Sequence, residues 1–505
     1  MHRYYVHVLD SLLQHKTAYD VYEIRHPFPP YLTQYSILLV LFHFMSYDFA
    51  EKLFTCLVLF CLAFGLRLAA QEISPSGRWV SLLFAPILFS WPLMMGFFNF
   101  TLGIGLTLFC MAFWQKMKYR GVSSLVVFAL ILAVLTFTHP VPLLLLIALC
   151  GFDVLLSLLF RSRGLSFPSW LRQERLQVIA LCLTFVAAAF PALAVDSSKT
   201  GRALELLHFH PEFLRTSLLL SGMSPYNTRS LNFSIDLYRL CLYALYFWAM
   251  WVGGKAALRA LRERRLNFGT TLFLATALLT LALPALPNEV NGSWYFTSRL
   301  VFVLWPGALL AASAMPQPNR AEQRLFLVGG AVCGILTLFP AQLFIRPAAK
   351  ELRLAEQLPI PQGVPGSLLL GDNQDDYARF HDQIGFDPYK WGAILSFVRE
   401  DDIALDSPWI DQKITPIEAV PGGPELVDDV ALVRISKTNP PAVKGRSLPA
   451  HAEARIVHDS SFMVFGGSHA ELAQGLANQL SPSEQAKFHC ERSHVRYIVC
   501  TSAAK

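Results

Sequence analysis

Charged residues are scarce in this 505-residue chain. Lys, Arg, Asp and Glu together make up 15% of the sequence, whereas apolar residues make up 54% and the mean hydropathy is +0.41. Soluble domains carry about 25% charged residues, so the composition excludes an ordinary water-soluble protein. Between Lys52 and Ile345 the charges cluster in short runs between long apolar stretches. We therefore predict a mainly α, polytopic transmembrane helix bundle over 1–346, followed by a small α/β domain over 347–505.

The sequence also lacks the compact motifs that mark many cofactor sites. Seven of the nine cysteines lie inside apolar segments, where cysteine acts as a small hydrophobic side chain. Cys490 and Cys500 lie in the polar tail without metal-ligand spacing; they would pair in an oxidising compartment and stay reduced in the cytosol. There is no nucleotide-binding glycine fingerprint. We predict no metal site from these motifs, and the cofactor stays open, with a divalent cation among the options.

Apolar runs recur along the chain at close to the roughly 20 residues that a helix needs to cross a bilayer. A shorter run, Tyr31 to Met45, contains Gln34 and His43 and indicates an interfacial helix. The open alternative is that this run crosses the bilayer and that the N-terminus is cytosolic. The sequence predicts about ten crossings, at 52–70, 79–96, 98–114, 122–138, 141–160, 177–195, 236–254, 268–286, 299–315 and 325–345.

Lysine and arginine collect in four of the connections between these runs, a pattern that marks cytosolic loops. If ten crossings alternate, all four connections fall on one side, which accounts for the net charge of +6 without a nucleic-acid partner. The first loop at 1–50 and the C-terminal domain then lie on the opposite side. Because a polar N-terminal segment is hard to translocate, we expect one more transmembrane helix upstream of Met1. The basic connections hold Lys116, Lys118, Arg120, Arg161, Arg163, Arg172, Arg175, Lys255, Arg259, Arg262, Arg264, Arg265, Arg320 and Arg324.

The opening segment is the first of three polar groups on the predicted outer side. Asp10, Asp20 and Glu23 alternate there with basic and aromatic residues. Each of these acids is a candidate catalytic base, and the neighbouring cations suit a diphosphate. A partly buried amphipathic helix would show the same pattern, and both interpretations stay open.

The other two groups lie where predicted crossings begin. His139 is suited either to contact a phosphate or sugar hydroxyl or to cap a helix. Trp294 and Tyr295 precede Arg299, whose planar guanidinium matches phosphate oxygens while the aromatic faces can stack on a sugar. An interfacial aromatic belt with a snorkelling arginine gives the same pattern. Asp153, deep in an apolar run, is interpreted as a structural residue that faces the bundle, although a proton-coupled transporter needs such an acid.

Four short motifs, together with the order of loop, interfacial helix, crossings and outer domain, resemble one superfamily. This is the GT-C superfamily of polytopic membrane glycosyltransferases, and more narrowly its bacterial members. The resemblance covers about 1–346. The motifs are His2-Arg3-Tyr4-Tyr5, His26-Pro27-Phe28-Pro29-Pro30, Gly96-Phe97-Phe98-Asn99-Phe100-Thr101-Leu102-Gly103 and Thr138-His139-Pro140.

The resemblance implies transfer of a sugar from a polyprenyl-phosphate donor to a cell-envelope acceptor at the outer face of a bacterial plasma membrane. The implied partners are this lipid-linked donor and membrane lipids. The resemblance also implies an acidic base in the first outer loop, close after the first transmembrane helix. Asp10, Asp20 and Glu23 are the candidates, and the open alternative is an acid upstream of Met1. The candidate substrate-binding residues are His26, His139, Trp294, Tyr295 and Arg299.

Two other classes of function stay open. A transporter or lipid flippase would have internal repeats and helices broken near the bilayer midplane; the sequence shows no clear repeat. A non-catalytic membrane scaffold would have no cavity joining the first loop to Arg299. The sequence does not determine the oligomeric state.

Overall fold

The computed structural model divides the chain by its contacts into two compact units. One unit is Pro27–Ala341, and the other combines Met1–His26 with Gln342–Lys505. The structure describes residues 6, 9–10, 12–14, 22–24, 31–88, 90–94, 96–161, 166–194, 207–208, 233–263, 267–286, 289–290, 296–356, 366–372, 417–419, 433–434, 462–466, 486, 488–494 and 497–502.

The unit Pro27–Ala341 is built from helices. A run of short helical pieces covers Gly77–Val80, Ser81–Phe84, Ala85–Leu88 and Trp91–Met94, and the two-residue strands β2 (Leu207–His208) and β3 (Glu289–Val290) pair antiparallel. The other helices of the described chain, the last of which extends beyond this unit, are α1 Leu32–Phe42, α2 Tyr47–Ile73, α3 Phe98–Arg120, α4 Val122–Thr136, α5 Pro140–Leu156, α6 Phe167–Gln173, α7 Arg175–Ala194, α8 Phe233–Arg262, α9 Phe268–Ala282, α10 Phe296–Ala312 and α11 Arg320–Glu356.

Five helices in the described part of the chain are long and apolar enough to cross a membrane: Phe49–Ile73, Phe98–Arg120, Pro140–Phe160, Phe268–Ala285 and Arg320–Leu338. Large apolar side chains also remain exposed on the bundle surface. In water such a surface would promote aggregation, whereas in a bilayer it contacts lipid tails that are equally apolar. The prediction of a mainly α, polytopic membrane bundle is confirmed. The exposed side chains include Leu130, Val134, Val186, Trp251, Leu281, Leu325 and Ile335.

Helices α2 and α3 run in the same direction and pack closely. Phe54 contacts Phe98 at one end, with 5.9 Å between ring centroids, and Glu72 pairs with Lys116 at the other, at 3.4 Å. Midway, a Cβ built on Gly65 would lie 2.9 Å from the carbonyl oxygen of Gly105, so only glycine allows this approach. Small residues that let two backbones come together are a usual device of helix packing in membranes.

Because α2 and α3 are parallel, the connection 74–97 must return along the length of the bundle. The stretch 79–96, which the sequence predicts as a crossing, consists of short helical pieces rather than one continuous helix. The helical geometry fails at Leu83, with φ −80° and ψ 19°, and Pro86 and Pro92 each open a new piece. Proline supplies no backbone N–H and fits only the first turn of a helix, so each proline marks a break.

Other contacts give the relative directions of three further pairs of helices. Thr107 of α3 donates to the carbonyl of Pro142, and the Trp114 indole donates to Asp153, so α3 and α5 are parallel. Helix α9 is antiparallel to α10, because Gly307 lies against Thr276 and Gly269 against Ala314. Helix α11 is antiparallel to α8, because Phe326 contacts Trp248 and Thr337 lies beside Tyr238.

These directions give the bundle two distinct ends. We call the end that contains Tyr31, Phe97, His139 and Arg299 the site end. The opposite end holds the C-terminus of α3 and the N-termini of α7 and α11, and we call it the basic end. The cations at the basic end include Lys116, Lys118, Arg172, Arg175, Arg259, Arg262, Arg320 and Arg324.

Helix α1 lies at the site end. Its 11 residues rise only about 16 Å, roughly half the hydrocarbon thickness of a bilayer. It is therefore too short to cross as a helix, which agrees with an interfacial placement of Tyr31 to Met45.

The second unit contains a five-stranded mixed sheet of order β6-β4-β7-β9-β8. The strands are β4 Gly366–Asp372, β6 Val433–Arg434, β7 Phe462–Gly466, β8 Phe488–His494 and β9 Tyr497–Ser502. Strands β6, β4 and β7 are parallel, and β9 runs antiparallel to both β7 and β8. Cys500 is disulfide-bonded, and Cys490 stands directly opposite it in the β8–β9 register.

The N-terminal residues belong to this second unit, which the sequence did not indicate. Strand β1, Tyr22–Ile24, pairs antiparallel with β5, Ile417–Ala419, so that Glu23 faces Glu418 in register. Such a pairing joins residues almost 400 positions apart and leaves no local signal. The amphipathic helix that the sequence predicts at His469–Leu480 lies outside the described residues.

Candidate functional site

Helix α1 is fixed to two other elements at the site end. Asn99, in the first turn of α3, donates to the carbonyl of Tyr31 at 3.1 Å and accepts from the amide of Gln34 at 3.2 Å. The amide of Thr33 donates to the carbonyl of Phe137 at 3.1 Å, and its hydroxyl accepts from Thr138 at 3.0 Å. These bonds cross between distant parts of the chain, so they set the position of Tyr31.

His139 is the N-cap of α5. Its Nδ1 atom accepts a hydrogen bond from the amide of Val141 at 3.1 Å, and Pro140 occupies the first helical position. Because Nδ1 accepts, the proton of the neutral ring resides on Nε2. The capping role that the sequence suggested is thus present, and it leaves Nε2–H as the ring's donor.

Aromatic contacts hold the His139 ring in place. Tyr31 meets it edge-on, with 5.0 Å between ring centroids and planes at 87°, and Phe100 lies 5.4 Å away. The imidazole is only 3% exposed. The ring therefore has one orientation, which is determined by the cap on one side and the two aromatic rings on the other.

Arg299 lies in the first turn of α10 and is 7% exposed. Its guanidinium carbon lies 4.3 Å from the ring centroid of Phe97, in a cation–π contact. Phe302, one turn further on, contacts Phe100 at 6.0 Å and ties α10 to α3. The structure thus brings Arg299 and His139, two residues that the sequence selects independently, to the same end of the bundle.

The ionisation of the neighbouring groups suits them to bind an anion. Burial, and then the positive charge of Arg299, holds the pKa of His139 well below its ordinary value. Desolvation raises the pKa of Tyr31, although the charge of Arg299 opposes this shift. At neutral pH the imidazole and the phenol are therefore both uncharged and can both donate hydrogen bonds. A guanidinium beside two neutral donors can hold a phosphate oxygen or a sugar hydroxyl.

The other predicted site residues either belong to the second unit or lie outside the described residues. Asp10 belongs to the second unit, where its Oδ1 accepts from Gln14 Nε2 at 2.8 Å, and Glu23 lies in β1 of that unit. The remaining candidates, Asp20, His26, Trp294 and Tyr295, lie outside the described residues.

Sequence reasoning did not select Tyr31, Phe97 or Asn99 for the site. Asn99 had a usable signal, since it is a lone amide in an otherwise apolar start to a helix. Tyr31 and Phe97 had none, because an aromatic residue beside an apolar run is typical of any membrane interface. No group of three His, Cys, Asp or Glu side chains that could hold a metal ion occurs within the described part of the chain.

The buried, neutral His139 predicts a pH dependence of stability. Its folded-state pKa lies below the value of about 6.5 for an exposed ring, so the unfolded chain binds the proton more tightly. The stabilisation is complete above pH 6.5 and is lost at up to about 1.4 kcal/mol per pH unit as the pH falls below that value. Unfolding of the full-length protein in neutral detergent between pH 5 and 8 measures the slope. His139→Asn, which retains a capping oxygen, removes this part of the slope; identical slopes in the two proteins would contradict the assignment.

No protein-family model and no curated protein matches this chain. Among solved structures, the chain is similar to the crystal structure of ArnT from Cupriavidus metallidurans in the apo state. The identity is 14% and the TM-score 0.47, and the match covers 100% of this chain and 93% of that chain. A likeness at this level transfers no residue role.

Proposed function

We propose that this chain is a membrane glycosyltransferase of the GT-C type, which moves a sugar from a polyprenyl-phosphate donor to a cell-envelope acceptor. The observation that carries the proposal is the grouping of Arg299, His139 and Tyr31 at one end of the bundle. A buried cation with two neutral donors suits a phosphate that reaches the site from within the bilayer. A lipid-linked donor presents such a phosphate at the membrane interface.

The charge distribution supports an extracytoplasmic site. Positive connections mark the cytosolic side of a bacterial plasma membrane, and here they gather at the basic end, opposite Arg299. The chain makes ten passes if the return through 74–97 counts as one of them. An even number of passes puts the residues after α11 on the extracytoplasmic side, on which we also place the site. The disulfide of Cys500 fits that side, because disulfides persist outside the reducing cytosol.

The proposed reaction is a substitution at the anomeric carbon. The acceptor hydroxyl oxygen forms a bond to that carbon, while the bond from the carbon to the donor phosphate oxygen breaks. A carboxylate of the first loop takes the hydroxyl proton, and the polyprenyl phosphate leaves as an anion. Arg299 stabilises the charge that develops on this phosphate, and His139 Nε2–H and the Tyr31 hydroxyl are further donors; such electrostatic stabilisation is usually the largest catalytic contribution.

Replacement of the first-loop acids tests the proposal. Membranes from cells that produce the full-length chain are expected to release polyprenyl phosphate from polyprenyl-phosphate sugars, measured by mass spectrometry of the extracted lipids. The triple variant Asp10→Asn/Asp20→Asn/Glu23→Gln should lose about 100-fold or more of this activity, since a general base contributes at least that factor.

A matched control for the triple variant is Glu263→Gln, an exposed acid of the basic end, which should retain activity. Full activity in the triple variant would show that none of the three acids is the base. Absence of release from every donor offered to the unsubstituted protein would reject the proposed function itself.

A further inference from the structure

A cavity of about 350 Å³ opens at the basic end of the bundle. It lies between the C-terminus of α3, the end of α6 and the start of α7, far along α3 from the His139 and Arg299 group. The residues that line it are Met117, Lys118, Arg172, Gln173, Glu174, Arg175, Leu176 and Gln177.

The lining carries a net positive charge. Lys118, Arg172 and Arg175 bring three positive charges from three different helices. Lys118 also donates to the Gln115 side chain at 3.2 Å, which directs its stem along the surface of α3. The one acid in the lining, Glu174, accepts a hydrogen bond from Ser157 at 3.2 Å. The lining thus contains three positive side chains and one negative side chain, and its net positive charge suits an anion.

A buried polar group without a partner also faces the cavity. Gln177 is 4% exposed, and its Nε2 amide nitrogen has no hydrogen-bond partner among the described residues. An unsatisfied buried donor is destabilising, so native structures keep few of them without a reason. A ligand oxygen in the cavity would satisfy this donor.

The backbone at the cavity also favours a negative charge. Helix α7 begins at Arg175, and the first intrahelical amide bond runs from Val178 to Glu174. Residues of its first turn line the cavity, and a helix N-terminus carries a partial positive charge. Three side-chain cations, a buried amide and a 20-residue helix thus converge on one space.

The membrane setting favours a lipid as the occupant. Helix α6 carries Arg172 together with Phe167 and Leu171, whose side chains are exposed, while Trp170 packs inwards. A short helix with exposed apolar residues beside a basic one is typical of the interface between headgroups and acyl chains. Basic pockets between transmembrane helices on the cytosolic side bind anionic headgroups.

We propose that this cavity is a binding site for a phosphate group, and that its occupant is the headgroup of an anionic phospholipid of the cytosolic leaflet. The side chains of Lys118, Arg172 and Arg175 supply the charge, and the Gln177 amide supplies a directed donor. The site is separate from the proposed sugar-transfer site. It would tie the short connection between α5 and α7 to the lipid surface.

The test uses purified full-length protein in neutral detergent, with phosphatidylglycerol and phosphatidylcholine as probes and native mass spectrometry as readout. We expect phosphatidylglycerol to bind at least tenfold more tightly than phosphatidylcholine. Arg172→Gln/Arg175→Gln should remove most of this preference. Arg259→Gln/Arg262→Gln removes two exposed cations of the same bundle end outside the cavity, and it should change the affinity by less than twofold.

Gln177→Leu separates binding from stability. If the amide serves only the folded chain, its replacement changes stability and leaves phosphatidylglycerol binding unchanged. If it contacts the headgroup, affinity falls about threefold to tenfold while the lipid-free protein is as stable as before or more so, because an unsatisfied donor has been removed. An unchanged affinity in this variant would overturn the role of Gln177.

Competition identifies the source of the phosphate. Millimolar glycerol 3-phosphate that fails to displace the lipid supports a phospholipid occupant, whereas full displacement would reassign the site to a soluble phosphate ester. Equal loss of binding in the cavity variant and in the Arg259→Gln/Arg262→Gln control would overturn the proposal, since it would show a general surface attraction.

Discussion

Replacing Arg299 with glutamine is expected to weaken binding of undecaprenyl phosphate to the full-length protein by at least tenfold. The guanidinium is buried, lies over the ring of Phe97 and interacts electrostatically with the two neutral donors, Tyr31 and His139. Hydrogen bonds to charged groups contribute about 1.5–3 kcal/mol, which corresponds to a factor of roughly 10 to 150. Glutamine keeps a donor of similar size but no charge. Tryptophan fluorescence or native mass spectrometry in detergent can follow the binding without knowledge of the sugar.

Two further variants make the Arg299 experiment specific. Arg299→Lys keeps the charge but loses the planar fork, and stacks less well on Phe97, so it should restore only part of the affinity. Arg320→Gln removes an exposed cation at the basic end and should leave the affinity unchanged. Undiminished binding by a correctly folded Arg299→Gln variant would remove the central support for a phosphate site at this end of the bundle.

The sequence predicts the helical part of the molecule well, because apolar length is a direct physical requirement of the bilayer. The run 98–114 lies within α3, and most of the runs 141–160 and 268–286 lies within α5 and α9. The run 79–96 is also apolar but is broken into short pieces. Its prolines are local signals of these breaks, and an average of hydropathy over the whole run does not detect them.

The site is predictable only in part, for reasons of geometry. His139 and Arg299 are polar residues at the starts of apolar runs, and counting alternating passes places them at one end. Hydrogen bonds of Asn99 and Thr33 position Tyr31 beside His139. They join segments that are about 70 and 100 positions apart in the sequence. The pairing of β1 with β5 is longer still. Contacts of this range leave no pattern in a single sequence.

The broken return through 74–97 bears on the transporter alternative. Transporters bind substrate where helices are interrupted within the membrane, and this bundle contains such an interruption. It also contains Asp153, a buried acid at 6% exposure on a membrane helix. A proton-coupled transporter would need that carboxylate to change its charge during the cycle, whereas a structural residue would keep its bonds throughout.

The contacts of Asp153 favour the structural role and lead to the last prediction. Its Oδ2 accepts from the Trp114 indole at 2.9 Å and its Oδ1 from the Thr271 hydroxyl at 2.8 Å, so one carboxylate joins α3, α5 and α9. In Asp153→Leu both donors lose their acceptor in an apolar interior. Each unsatisfied group costs about 1–3 kcal/mol, so we expect a loss of about 2–6 kcal/mol in the free energy of unfolding.

Asp153→Asn separates the two roles. The amide oxygen can still accept from Trp114, and the amide nitrogen can donate to Thr271, whose hydroxyl accepts as readily as it donates. We therefore expect near-normal stability and unchanged undecaprenyl phosphate binding and sugar transfer, measured beside Asp153→Leu by unfolding in detergent. An asparagine cannot take up and release a proton, so loss of activity in a stable Asp153→Asn protein would contradict the structural role. That result would favour a proton-coupled cycle, because the hydrogen-bonded junction of the three helices would still be intact.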